Sequence, residues 1–455
     1  MADSFMERRK MSVVAEQPVL EAWRPPARKE TLTGAFFWLS AFCFVYCARP
    51  EDLIPGLSYI PLAKITGFFA LVALLASLGK SKRGFRDLPK EAHYLLAMTA
   101  ILYLSAVFSP VWRGGALLRT LDFSKVYIIW ILTFLAVNEF GRLRRLIFIQ
   151  TASVALICVV SIAKGHSRPR LDGVLGGIYS NPNDLAFAIV LSLPFCLAFL
   201  IATKSIPRKA AWLFAILSML VAVFLTASRG GFITLVVAGV VCLWHFGVKG
   251  RRFYLVVAAG LLGSVLLVTA GRRVIDRFIA ISGTVDTQSD NRAYGSYEQR
   301  KFLMLKALEG IERYPILGVG VRNFEVYSTV WREVHMTYLE IAVEGGVPAA
   351  ILYILFFACG FRSLKRLRRR KDLDPEMALF VGALHSSLVG FVVGALFSPE
   401  AYQFFPYFAV AYASAFLAIV EEKEPVPVAK VLTPARRFSG NYSNARESGV
   451  GPTFR

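Results

Sequence analysis

Residues 184–202 read DLAFAIVLSLPFCLAFLIA, a run whose one charged side chain, Asp184, stands at its first position. A helix needs about 20 apolar residues to cross the roughly 30 Å of bilayer hydrocarbon, and this stretch has that length with no ionisable group inside it. Comparable runs recur at 33–48, 60–78, 92–109, 122–138, 146–163, 211–227, 230–247, 253–270, 336–360, 378–397 and 403–420, which predicts about twelve spans in 455 residues. The composition agrees: 56% of the residues are hydrophobic, 18% are charged and the mean hydropathy is +0.53. That balance excludes a soluble enzyme of two or three domains. Unbroken apolar runs also exclude a β-barrel, whose strands alternate apolar and polar residues over about 10 positions. The expected fold class is all-α, a polytopic transmembrane helical bundle whose backbone groups are satisfied within each helix.

The basic residues set the topology. With a cytoplasmic N-terminus, the inside segments 1–32, 79–91, 139–145, 203–210, 248–252, 361–377 and 421–455 hold 33 of the 52 lysines and arginines, as the positive-inside bias requires. Ten more lie in 271–335, a loop long enough to escape that bias. The net charge of +21 is thus explained by the membrane surface, and no nucleic-acid partner is expected. Arg366, Arg368, Arg369, Arg370 and Lys371 read as a topogenic or lipid-facing cluster. The chain divides into a cytoplasmic segment 1–32, spans one to nine within 33–270, a long outer loop 271–335, spans ten to twelve within 336–420, and a disordered cytoplasmic tail 421–455.

The six cysteines, Cys43, Cys47, Cys158, Cys196, Cys242 and Cys359, all fall in apolar runs, where a thiol acts as a small hydrophobe. They outline neither a disulfide framework nor a metal site. Arg8, Arg9, Lys10, Arg24, Arg28 and Lys29 are not followed at once by a short apolar stretch and cleavage site, so the first span is expected to stay as an anchor.

Three outer segments depart from plain membrane helix. The loop 164–183 carries Arg168, Arg170 and Asp172 and ends in Ser180-Asn181-Pro182-Asn183-Asp184. Those residues suit a helix start, with Ser180, Asn181 and Asn183 as caps, Pro182 in the first turn and Asp184 facing the dipole. The alternative is that Arg170, Asn181 and Asn183 border a polar cavity for sugar or phosphate. In the second segment, Thr226-Ala227-Ser228-Arg229-Gly230-Gly231 joins two apolar runs with almost no loop. An arginine at mid-membrane costs about 2.5–3.5 kcal/mol, so Arg229 either snorkels to the interface or clamps a phosphate with its two-pronged guanidinium. In the second case Gly230 and Gly231 would let a headgroup approach the backbone.

The third segment is the long loop. From Ser296 to Tyr314, Phe302, Leu303, Leu305, Leu308 and Ile311 alternate at helical spacing with Arg300, Lys301, Lys306, Glu309, Glu312 and Arg313, which predicts an amphipathic helix along the membrane interface. The breaker-rich stretch Pro315 to Phe324 must then fold back, and His335 stands just before the span that begins at Met336. His335 is either an interfacial packing residue or, since imidazole titrates near neutrality, the group that accepts a proton from a hydroxyl. His93, His166, His245 and His385 lack such company and read as structural. Paired catalytic carboxylates, a P-loop, an HExxH helix and a nucleophile elbow are absent.

Arg300, then Glu312-Arg313-Tyr314-Pro315-Ile316-Leu317-Gly318-Val319-Gly320-Val321-Arg322-Asn323-Phe324, then His335-Met336-Thr337-Tyr338-Leu339-Glu340-Ile341-Ala342-Val343-Glu344-Gly345-Gly346 resemble, in order and spacing, the long periplasmic loop and following helix of the O-antigen ligase and polymerase superfamily. Ser180 to Asp184 and Ser228 to Gly231 resemble upstream motifs of such proteins, so the likeness spans about 180–350. Ala48 to Pro55 resembles the N-terminal stretch of the exosortase-associated O-glycosylation ligases. One position departs: the family's histidine is usually followed by asparagine, and here by Met336.

The resemblance implies a multi-pass protein of the bacterial inner membrane with cytoplasmic termini and a periplasmic active face. It implies transfer of a glycan from an undecaprenyl-diphosphate carrier to an acceptor hydroxyl on lipid, glycan or protein, without nucleotide sugar, metal or cofactor. In that scheme His335 is the base, Arg229 and Arg300 stabilise the leaving diphosphate, and Arg322, Arg170, Asn181, Asn183 and Glu344 are further binding candidates. A polymerase lengthening O-antigen or exopolysaccharide would use the same chemistry, and a transporter of lipid-linked glycan or small anions is the reading from another class.

Overall fold

The computed structural model describes residues 32–54, 56–80, 83–165, 170–171, 179, 181–269 and 288–422. The expectations for the segment before Leu32, for His166, Arg168, Asp172 and Ser180, and for the tail after Glu422 lie outside the described residues. No strand occurs among the described residues. Twelve helices coincide with the twelve apolar runs: α1 Thr33–Ala48, α2 Leu62–Ser77, α3 Lys90–Val107, α4 Arg113–Ala136, α5 Phe140–Lys164, α6 Pro182–Ala202, α7 Ile206–Thr226, α8 Arg229–Leu243, α9 Phe253–Thr269, α11 Thr337–Arg369, α12 Pro375–Gly394 and α13 Phe404–Glu422. The remaining long helix, α10, is Gln288–Arg313.

Among the described residues, seven helices are long and apolar enough to cross a membrane, α5 to α8 and α11 to α13, with α8 extended by a π-turn to Val248. The apolar helices α1, α2 and α9 are shorter. Two boundaries move outward from the sequence reading. Helix α4 begins at Arg113 rather than near 122, and α11 runs to Arg369 rather than 360. Hydropathy marks where a chain meets lipid, whereas the backbone ladder continues wherever charged side chains can reach water.

Helix α13 is the most enclosed of the seven, packed against α4, α5, α11 and α12. Tyr407 and Phe416 of α13, and Trp130, Phe356 and Phe391 of the helices packed against it, are fully buried. Because lipid tails are as apolar as these side chains, helices associate through close packing and interhelical hydrogen bonds. Such bonds include Tyr412 Oη to Gln150 Oε1 at 3.2 Å and Ser387 Oγ to the Leu191 carbonyl at 2.8 Å. All six cysteines are buried.

The element that positions the site is a break in α11. Pro348 has no N–H and its ring crowds the carbonyl four residues earlier, while Gly346 adopts φ 79° and ψ 169°, a region essentially reserved for glycine. Backbone carbonyls around the break are taken up by the fold-back stretch. Val319 N–H donates to Val343 O at 2.8 Å, Gly320 N–H to Glu344 O at 3.0 Å, and Val347 N–H to Pro315 O at 2.8 Å. Ser105 Oγ of α3 also donates to Glu344 O, at 2.7 Å. Gly318, at φ 66°, keeps this approach open, since a Cβ there would lie 2.5 Å from Val343 O.

Helix α10 packs on the bundle through a narrow stripe. Its buried face is Leu303 and Ala307, packed with Val319, Phe324, Val334 and Val343 into a small core of their own. Phe302, Leu305 and Leu308, expected on the same apolar face, are exposed. Protein therefore covers a narrower stripe than the sequence pattern suggested, one that includes alanine and glycine. Gly310 belongs to it, because a Cβ there would come within 2.7 Å of Val343.

Candidate functional site

A cavity of about 320 Å³ lies where α8, α10 and the start of α11 meet. Arg229, Arg300, Lys301 and His335 line it, with Ile233, Met304, Met336 and Phe397 among its apolar walls. It adjoins a smaller space of about 30 Å³ bordered by Arg170, Asn183, Ser228, Arg229, Arg300 and Ser398, enough for one or two waters. Residues from six separate stretches of sequence thus meet around these two adjoining spaces.

Two helix starts fix the arginine side. Helix α7 ends at Ala227 in the left-handed region, φ 47°, and Ser228 immediately caps α8, its Oγ accepting from Gly231 N–H at 3.2 Å. The turn is so short that Arg229 occupies the first position of α8. Asn181 caps α6 by accepting from Asn183 N–H at 3.0 Å. Asn183 Oδ1 then accepts both from Arg170 Nη2 at 2.9 Å and from Ser228 Oγ at 2.8 Å. Arg170 Nε also donates to Thr226 O at 2.8 Å. The two open helix ends add positive dipole to the guanidinium groups beside them.

The glycines also let neighbouring helices pack closely. A Cβ on Gly230 would lie 2.6 Å from Phe397 Cβ, and one on Gly231 would lie 2.6 Å from Ala186 Cβ. Both are needed for helix packing, and Gly230 borders both spaces while Gly231 borders the smaller one.

His335 is held by its neighbours on both sides. After it, Thr337 anchors α11 to the connection between α12 and α13: its N–H donates to Ala395 O at 2.8 Å, its Oγ1 donates to Ser398 O at 2.6 Å, and it accepts from Glu400 N–H at 2.9 Å. Before it, Thr329 and Trp331 sit at φ 62° and 53°, costly conformations for residues with a Cβ and ones that cluster at functional sites. The His335 Nδ1 is buried and has no hydrogen-bond partner among the described residues. Burial, then the charges of Arg300 and Arg332, lower the imidazole's pKa to about 4. At neutral pH the ring is therefore an uncharged acceptor.

Arg322, Glu344 and Asn181 do not line this cavity. Glu344 is buried, and its carboxylate accepts from the N–H groups of Arg322 at 2.8 Å and Phe324 at 3.4 Å. It holds the fold-back stretch. The Arg322 guanidinium pairs with Glu333, approaches Glu325 at 3.7 Å and lies 5.7 Å from the Tyr402 ring centroid. Burial opposes its charge, but Glu340 and Glu344 outweigh burial and raise its pKa. The nearby Glu400 is buried, and burial together with Asp184 pushes it up to about 8, against the Ser398 hydrogen bond and Arg322.

Lys301, Met336, Phe397 and Ser398 also border the hollow. No pattern marks Phe397 and Ser398, which stand in a short connection with ordinary turn composition. Met336, the departure from the usual asparagine, contributes a thioether to the cavity wall.

These features define a multi-pass helical membrane protein with a cationic, histidine-bearing cavity at one end of its bundle. Residues 214–354 match the family model described as O-Antigen ligase, a range that contains Arg229, Arg300, Arg322, His335 and Glu344. The chain is also 28% identical over 266 residues to the exopolysaccharide production protein ExoQ of Rhizobium meliloti (strain 1021), covering 51% of this chain and 58% of that protein. The chain thus spans little more than half the length of that relative. Over residues 214–354 the chain is thus similar to the O-antigen ligase family, and over 266 residues to an exopolysaccharide production protein.

Proposed function

We propose that the protein is a glycan transferase that moves a glycan from a polyprenyl-diphosphate carrier, undecaprenyl diphosphate in bacteria, to an acceptor hydroxyl at the periplasmic face of the inner membrane. The expected topology, twelve spans with both termini in the cytoplasm, would put the cavity on that face. The observation that carries the reading is the meeting of His335, Arg229 and Arg300 around one cavity with apolar walls. An inverting displacement needs three things there: a base for the acceptor hydroxyl, cations for the departing diphosphate, and grease for the carrier.

In the proposed step the acceptor oxygen attacks the anomeric carbon, the bond from that carbon to the diphosphate breaks, and the hydroxyl proton passes to the imidazole of His335, which lines the cavity. The bonding electrons leave with the lipid diphosphate, whose charge Arg229 and Arg300 stabilise, with Arg170 beside them. Arg322, Glu344 and Asn181 act by holding the loop and the helix start that shape the site.

A second reading, chain lengthening of an exopolysaccharide, is favoured by the likeness to an exopolysaccharide production protein. Reconstitution of the purified protein with lipid-diphosphate-linked glycan and candidate acceptors tests both. A covalently enlarged acceptor is expected, and products carrying repeated donor units would select the second reading. His335→Ala should insert normally and lower the transfer rate by about 10²–10⁴-fold. Transfer at the parent rate would remove His335 from the role of base.

A further inference from the structure

A second cavity, of about 360 Å³, opens near the other end of α8. Sixteen residues separate Arg229 from His245, roughly 24 Å along a helix axis, so this cavity belongs to the opposite side of the bundle. There α8 passes into a single π-turn, Trp244–Val248, and the chain reverses with Arg252 N–H donating to Gly247 O at 2.7 Å. The reversal carries Lys249 and Arg252 to the cavity, and the last turn of α11 and the residues after it bring Arg368 and Arg370. Phe246, Leu373 and Val381 are among its apolar lining, and no carboxylate lines it.

Two histidines hold one of these cations in place. Arg368 Nη1 lies 3.1 Å from His385 Nε2, and His385 Nδ1 lies 3.1 Å from His245 Nε2. A guanidinium can only donate, so His385 Nε2 accepts, its Nδ1 carries the proton, and that proton is donated to His245 Nε2. His385 and His245 are therefore both neutral acceptors at Nε2. The positive charge of the cavity therefore comes from its lysine and arginines, gathered without an acid among the lining residues. Such a concentration of like charge is relieved by an anion, and paired guanidinium forks match phosphate oxygens.

We propose that this cavity binds a phosphate ester, independently of the transfer site. The chemistry reaches it either as the headgroup of an anionic phospholipid in the leaflet opposite His335 or as a soluble phosphate. Basic pockets between membrane helices commonly hold anionic headgroups, and the apolar floor beside the cations suits the start of an acyl chain.

Native mass spectrometry of the full chain in neutral detergent, with added phosphatidylglycerol, phosphatidylcholine or inorganic phosphate, tests this directly on the parent protein. Retention of phosphatidylglycerol over phosphatidylcholine by at least tenfold is expected for the lipid source. Retention of inorganic phosphate, with no preference between the lipids, identifies the soluble source. Lys249→Gln with Arg252→Gln should weaken the bound species at least tenfold, while the charge-keeping pair Lys249→Arg with Arg252→Lys should retain it. Lys365→Gln with Arg369→Gln removes two nearby charges outside the cavity and should have little effect. Equal retention of both lipids with no phosphate bound, or equal loss in the Lys365 and Arg369 variant, overturns the proposal.

Discussion

The pH dependence of transfer gives the sharpest test of the site. His335 is held at a pKa of about 4, first by burial and then by the positive charges of Arg300 and Arg332. At pH 5 an imidazole with that pKa is about 90% neutral, whereas one at the ordinary value of 6.5 is about 3% neutral, a difference of about thirtyfold in active base. The acidic limb of kcat/KM, which reports the free enzyme, is therefore expected near pH 4. Binding a diphosphate brings negative charge against Arg300, so the limb of kcat should lie higher than that of kcat/KM. Arg300→Gln removes one of the two named charges but leaves the burial, and its kcat/KM limb should rise yet stop short of 6.5. The assay is transfer of labelled glycan from a lipid-diphosphate donor between pH 4 and 8, read for the position of the limb rather than its height. An acidic limb at 6.5 in the parent, or one that stays fixed in Arg300→Gln, would refute His335 as the base in this environment.

Other perturbations follow from single contacts. Arg229→Lys keeps the charge and loses the fork; since a charge-assisted hydrogen bond contributes about 1.5–3 kcal/mol, KM for the donor should rise by about tenfold or more in steady-state transfer assays. Gly346→Ala places a Cβ 2.1 Å from Ile316 O in a backbone region essentially closed to alanine, and should cost at least about 2 kcal/mol in thermal unfolding, with transfer lost as the fold-back stretch lifts off α11. Glu400 has its pKa raised to about 8 from 4.5. The folded protein then binds the extra proton between those values, so stability is full below about pH 4.5 and falls as pH rises through 8. Glu400→Gln should flatten that decline in unfolding temperature measured from pH 5 to 9.

The helices were legible because an unbroken apolar run marks a buried or lipid-facing helix; all twelve runs became helices, seven of them long and apolar enough to cross a membrane. The helix ends were less so. Arg113 to Leu121 continues α4 because a helix tolerates charge at its ends, which hydropathy does not register. At the site, His335, Arg229, Arg300, Arg170 and Asn183 could be named because cations and amides are conspicuous beside apolar runs. Phe397 and Ser398 could not, since only the tertiary fold carries the connection after α12 to the cavity. Glu344 was noticed for its charge, but its partners are backbone N–H groups twenty and more residues away, and no spacing in the chain announces that. The two-sided character of α10 was hidden for a related reason: alanine and glycine make its closest contacts, and neither stands out in a hydrophobic pattern.

Ile233, Met304, Leu396 and Phe397 wall the histidine-bearing cavity beside its cations. If the carrier's isoprenoid lies along that wall, the donor is delivered by lateral diffusion within the membrane and not from bulk water. Its effective concentration is then a mole fraction of lipid. Diluting the carrier with inert phospholipid at constant total amount should slow the reaction, whereas enlarging the aqueous volume around the same vesicles should leave the rate unchanged.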